Sequence, residues 1–235
     1  MSVILVFLLV IAGFAGWWLS HQRLLAKPWL EQGMAGEDFV DLGRSPLPTA
    51  KIGLGVFLAV VGCLFSLFTS AYFMRMGLSD WRPLPLPRLL WLNTGVLVLS
   101  SVALQCAVVA ARRGQLDMVK LGLATAGLTA LAFLVGQLVA WRQLTEDGYL
   151  LASNPANSFF YLITAMHGLH IMGGLVGLGR TSASAWNGGR PERLRLGVEL
   201  CAMYWHFLLF VWLGIFAVLA GWAATIIDIC QRLLT

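Results

Sequence analysis

Six apolar runs separated by short polar gaps constrain this chain more than any other feature. They fall at Val3–Leu19, Ile52–Met74, Leu89–Ala111, Val119–Trp141, Ser158–Gly179 and Gly197–Ile227. About 20 residues, each rising about 1.5 Å, cross a hydrocarbon core of roughly 30 Å as a helix. None of the runs alternates with a two-residue period, which excludes a membrane barrel. Backbone polar groups inside lipid must pair internally, so the expected fold class is all-α: a polytopic membrane protein with six transmembrane helices. The last run is longer than a span requires, which predicts tilt or emergence from the bilayer.

Composition closes the other routes. Of 235 residues, 59% are apolar and 11% charged, where soluble domains average about 45–50% and about 25%. That charge cannot cover a water-facing surface, and the apolar content is far above that of a disordered chain. The net charge of +5 is scattered through the gaps rather than gathered on one solvated face, so no nucleic-acid partner is expected. Cys63, Cys106, Cys201 and Cys230 lie within or at the end of apolar runs without C-x-x-C spacing, which argues against a disulfide framework or zinc site.

Nothing basic precedes Val3, whereas His21, Arg23 and Lys27 follow the first run. A signal peptide shows the opposite order, so the segment is expected to remain as a span. Gaps one, three and five carry Arg23, Lys27, Arg44, Lys51, Arg112, Arg113, Lys120, Arg180, Arg190, Arg193 and Arg195. The other side carries only Arg75, Arg82, Arg88, Arg142 and Arg232. The positive-inside rule then places those three gaps in the cytoplasm and both termini outside.

Three parts are expected: an N-terminal helix over 1–20, a cytoplasmic linker over 21–50, and a five-helix domain over 51–235. The linker contains Pro28, Pro46 and Pro48 beside Glu31, Glu37, Asp38 and Asp41. The stretch Trp81-Arg-Pro-Leu-Pro-Leu-Pro87 is too proline-rich for a helix and predicts an extended external loop. No internal repeat of the transporter kind and no nucleotide-binding motif is present.

Ionisable residues within membrane helices are costly, so each is a functional hypothesis. His167 and His170 are three apart on the fifth run, and Glu199 and His206 seven apart on the sixth. Such spacings put each pair on one helical face. His170 precedes Gly179 by nine residues and His206 follows Gly197 by nine, so both lie roughly 13 Å from the cytoplasmic boundary. Gly173 and Gly177 form a small-x-x-x-small face suited to close helix packing. Two readings compete. A bis-histidine haem between His170 and His206 needs a porphyrin-wide gap, which close packing opposes. The alternative is a polar network in which the histidines bond one another, Tyr204, Glu199 or a lipid headgroup. No carboxylate extends this cluster outward into a transmembrane proton path. Asn93, Gln105 and Gln137 are read as interhelical hydrogen-bond glue. Trp17, Trp18, Trp81, Trp91, Trp141 and Trp222 fall near run ends as an aromatic belt, while Trp205 and Trp212 are interior.

Two stretches carry a family resemblance. Phe160-Tyr-Leu-Ile-Thr-Ala-Met-His-Gly-Leu-His-Ile-Met-Gly-Gly174 resembles the penultimate-helix motif of subunit III of haem–copper oxidases. Glu199-Leu-Cys-Ala-Met-Tyr-Trp-His-Phe207, followed by Val211-Trp212, resembles that family's last-helix motif. Trp91-Leu-Asn-Thr-Gly-Val-Leu-Val-Leu-Ser-Ser101 and the region of Gln137 are similar to its middle helices. The resemblance runs from Lys51 to Trp222 and leaves the first helix and linker outside it.

The resemblance implies a five-helix, V-shaped bundle whose cleft holds phospholipid, in a bacterial inner membrane. It implies a non-catalytic accessory subunit of a respiratory oxidase that binds no metal or cofactor itself and packs against the catalytic subunit I, where haem and copper reside. Three carboxylates common in the family are missing: Val61–Gly62, Ala140 and Leu209 stand at their positions. Their loss points to a divergent branch, with the subunit III-like proteins of nitric oxide reductases as the alternative. A haem-carrying electron carrier is the alternative from another class.

Overall fold

A computed structural model describes residue 13 and residues 49–222 of the chain. The helix expected over Val3–Leu19, the linker, and the end of the last apolar run lie outside the described residues. The chain divides into two compact units, residues 1–52 and 53–235, and the packing below is that of the second.

Five α-helices follow in order: α1 Thr49–Met76, α2 Leu89–Arg112, α3 Leu116–Glu146, α4 Pro155–Trp186 and α5 Pro191–Leu219. All five are long and apolar enough to cross a membrane, and no strand occurs among the described residues. The stretch Trp81–Pro87 is non-helical, as its prolines require.

The helix ends depart from the hydropathy boundaries for reasons of capping. α4 starts three residues before Ser158 because Asn154 caps it, its side chain accepting from the Ala156 N–H at 3.2 Å, with Pro155 at the first helical position. It then continues past Gly179 to Trp186 as a polar extension. α5 likewise opens on Pro191 rather than Gly197, and it closes at Leu219, well before Ile227. There Gly221 takes φ +77°, a left-handed conformation that glycine adopts without steric cost. Hydropathy sees none of these signals, because proline, asparagine and glycine act through the backbone.

α2 and α3 form a tight antiparallel hairpin. Gly114, at φ +71°, lets Gln115 N–H donate to Ala110 O at 3.0 Å and Gly114 N–H to Ala111 O at 3.3 Å, closing α2 in a Schellman turn. Small residues then bring the helices together: a β-carbon added at Gly122 would lie 2.8 Å from Ala107 Cβ. Four helices close a ring in which α2 borders α3 and α5, and α4 borders α3 and α5. The main core lies inside it, with Leu97, Leu104, Phe133, Phe160, Trp205 and Trp212 almost fully buried.

α1 stands apart. Among the described residues, none of its Cα atoms comes within 8 Å of a Cα in another helix. Long side chains bridge the space instead, in a second cluster of Val61, Phe65, Ile163 and Ile215 with Phe207 packed against it. A groove of about 330 Å³ remains between α1, α4 and α5, lined by Leu54, Phe57, Gly173, Gly174, Gly177, Leu200, Cys201, Tyr204 and Trp205.

Candidate functional site

Heptad spacing puts Glu199 and His206 on one side of α5, and that side faces α2 rather than α4. The His206 Nε2–H donates to Gln105 Oε1 at 3.0 Å, and Nδ1 pairs with the Ser101 hydroxyl. Two turns away, Glu199 Oε1 lies 3.4 Å from Nε of both Arg112 and Arg195. Both contacts therefore tie α5 to the C-terminal half of α2, with Arg195 adding an ion pair along α5 itself.

The histidines of α4 have other surroundings. His167 is fully buried and packs among Phe65, Phe133 and Trp212, with ring centroids at 6.2, 5.8 and 5.1 Å. Among the described residues, neither of its ring nitrogens has a hydrogen-bond partner. His170 directs Nδ1 to its own Met166 carbonyl at 2.7 Å and lies against Phe65, at 5.5 Å between centroids. Among the described residues, the one polar link from this pair to α5 is through the backbone, the Tyr204 hydroxyl donating to the His170 carbonyl at 2.8 Å.

The structure thus does not gather His167, His170, Glu199 and His206 into one network. Glu199 and His206 serve the α2–α5 seam, and His170 and Tyr204 the α4–α5 seam. Against the haem alternative, both nitrogens of His206 are engaged across α2. Among the described residues, no three His, Cys, Asp or Glu side chains assemble as a metal-holding group.

The close-packing glycine also differs from expectation. Gly173 and Gly177 have open space where a β-carbon would stand, and both line the groove. Gly174 is the point of approach, where a β-carbon would lie 2.5 Å from Tyr204 Cε1. Spacing of four establishes that two glycines share a face but not which face meets the neighbour.

Asn93 and Gln137 are buried, yet the interhelical bonds come from other residues. Among the described residues, Asn93 Nδ2 and both amide atoms of Gln137 have no partner. Asn93 instead wedges its Oδ1 against the bare Cα of Gly136. Interhelical hydrogen bonds run from Ser100 Oγ to Ala126 O at 2.9 Å, from Trp141 Nε1 to Thr164 Oγ1 at 3.1 Å, and from Trp212 Nε1 to Thr94 Oγ1 at 2.9 Å. Small hydroxyls inside apolar runs were the available signal. Trp141 sits partly buried and bonded across α3 and α4 rather than acting only as a belt residue.

Comparison with known proteins gives one consistent result. The family model for cytochrome c oxidase subunit III matches residues 52–224. A protein of Mycobacterium tuberculosis named probable cytochrome c oxidase subunit 3 is 33% identical over 163 residues, covering 66% of this chain and 77% of its own. Its counterpart from Nocardia farcinica is 30% identical over 176 residues, 71% of this chain and 85% of its own. Cytochrome c oxidase subunit 3 of Thermostichus vulcanus is 32% identical over 180 residues, 72% of this chain and 85% of its own. The matched region contains all five helices of the structure except the first three residues of α1. The chain belongs to the cytochrome c oxidase subunit III family.

Proposed function

We propose that this chain is an accessory subunit of a respiratory haem–copper oxidase, a multi-pass protein of a bacterial inner membrane without a catalytic centre of its own. The observation that carries the reading is the family match across residues 52–224, which spans nearly the whole of the second unit rather than one motif. Its partners are the other oxidase subunits, above all the catalytic subunit I that holds haem and copper. Its part in electron transfer is to keep that subunit stably assembled during turnover. Both termini face outward, by the distribution of Lys and Arg.

The groove beside α1 suits a phospholipid acyl chain. Its walls are apolar, and Gly173 and Gly177 leave its floor open. Val61 is buried and Gly62 faces Phe207 at the middle of α1, so no carboxylate stands there to relay protons. The similar proteins are named for cytochrome c oxidase, which favours oxygen over nitric oxide as the acceptor reduced by the parent complex.

A mild-detergent pull-down of the tagged chain tests the reading, with mass spectrometry and a reduced-minus-oxidised spectrum before and after stripping partners. The expected result is co-purification of a haem-bearing subunit and a colourless stripped chain. A chain that emerges alone and still carries haem overturns the accessory role.

A further inference from the structure

Polar side chains in the middle of these helices are, with few exceptions, turned away from lipid. Asn93, Gln137 and His167 are buried in the ring, and His170 is half-buried. Exposed hydroxyls can return to their own backbone, as Ser66 does to Gly62 O at 2.8 Å. Gln105 and His206 are exposed and bond each other rather than their own backbone, lying side by side on the outer seam of α2 and α5.

We infer that this seam is the face on which a transmembrane helix of another oxidase subunit seats, offering a hydrogen-bond acceptor to the Gln105 amide. The inference rests on the accessory role proposed above. Ser101, His206 and Gln105 form a chain of hydrogen bonds in which Gln105 Oε1 already accepts from the imidazole. The side chain is exposed, and among the described residues nothing accepts from the two N–H groups of its amide nitrogen. Gln105 precedes Arg112 by seven residues and His206 follows Glu199 by seven, so both lie roughly 10 Å inside the charged end of the seam. Acyl chains at that depth have no acceptor, and an amide facing them costs free energy that a partner helix recovers.

Charge selects another subunit over a second copy. The mouth of the same seam carries Arg112 and Arg195, 57% and 55% exposed, which share the single Glu199 carboxylate and so leave the mouth net positive. Two-fold pairing of this face would set these arginines against their own copies. A helix with an acceptor at mid-depth and an acidic residue near its cytoplasmic end satisfies both features. Val98, Leu99, Val102, Met203 and Phe210 supply exposed apolar surface for packing around the polar centre.

The test places a photo-crosslinking amino acid at Val102, one turn from Gln105, in the full chain within native membranes. Leu128 on α3 and Leu67 on α1, both exposed, serve as controls. The expected result is a product with another oxidase subunit from Val102, at least fivefold above either control. Gln105→Leu should lower recovery of that subunit about threefold to tenfold, the range of one interhelical hydrogen bond. Crosslinking to lipid alone at Val102, products confined to this chain, or equal yields at Leu128 overturn the inference. If a haem-bearing subunit co-purifies with the unmodified chain while Val102 gives none of it, only the face is wrong. If no oxidase subunit co-purifies at all, the accessory reading falls and this inference with it.

Discussion

Gly174 on α4 meets Tyr204 on α5 with no room for a side chain: a β-carbon at Gly174 would lie 2.5 Å from Tyr204 Cε1 and 2.9 Å from Trp205 Cζ3. Neither ring can yield freely. The Tyr204 hydroxyl is held by the His170 carbonyl, and Trp205 is buried in the main core. Overpacking of this kind costs about 1–3 kcal/mol, partly offset by alanine's helix propensity, worth about 1 kcal/mol over glycine. Gly174→Ala should therefore destabilise the bundle by up to about 2 kcal/mol in a detergent unfolding titration. Gly173→Ala, one residue away but facing open space, should be neutral or slightly stabilising. Equal effects at the two positions would show that α4 and α5 approach through a different face.

A second steric pair predicts coupling. A β-carbon at Gly136 would fall 2.1 Å from Asn93 Oδ1, so Gly136→Ala should be destabilising alone. Asn93→Ala removes the obstruction together with an amide whose Nδ2 has no partner. The double variant should be markedly more stable than the two single effects added, with a coupling of about 0.5–3 kcal/mol. Simple additivity in the same titration would mean that Asn93 rotates away at little cost.

These pairs show where the sequence was informative and where it was not. The apolar runs located α1 to α5 because a span needs about 20 residues regardless of its neighbours. The ends of α4 and α5 were missed at Pro155, Pro191 and Gly221, although Asn154-Pro155 is a readable start signal. Helical spacing correctly paired Glu199 with His206 on one face. It could not say that this face meets α2, because periodicity gives the angle between residues and leaves the rotation of the helix about its axis undetermined. The same missing phase explains why the spacing of Gly173 and Gly177 does not identify Gly174 as the contact. The hydroxyls of Thr94, Ser100 and Thr164 are weak signals in a sequence, because Ser and Thr within spans so often bond their own backbone, as Thr94 and Thr164 also do here.

At the C-terminal end of α1, Arg75 and Asp80 form a two-pronged ion pair, with Arg75 Nη1 2.7 Å from Asp80 Oδ1. Hydrogen bonding to the Arg75 guanidinium holds the Asp80 carboxyl below the usual carboxylate range. A lowered folded-state value means the pair's contribution is full above the ordinary aspartate pKa and is lost as pH falls through the depressed value. Wild type and Asp80→Asn should thus differ slightly in melting temperature near neutral pH and converge in strong acid. Because the pair is exposed, added salt should also shrink the difference. A gap that widens on acidification would reverse the assigned sign.

His206→Leu separates a packing role from a ligand role. The substitution removes both bonds from α5 to Ser101 and Gln105 while keeping an apolar side chain at a lipid- or partner-facing position. Ser101, itself buried, can turn its hydroxyl to a carbonyl one turn back on α2, which limits the damage to the fold. Purified complex should therefore be recovered in lower yield, by about threefold to tenfold. The haem absorbance per intact complex should be unchanged, since both imidazole nitrogens are already committed to α2. The measurement is a reduced-minus-oxidised spectrum normalised to the amount of this chain in the intact complex. A band that disappears per complex, rather than with the complex, would make His206 an iron ligand and require the α2–α5 seam to open around a porphyrin.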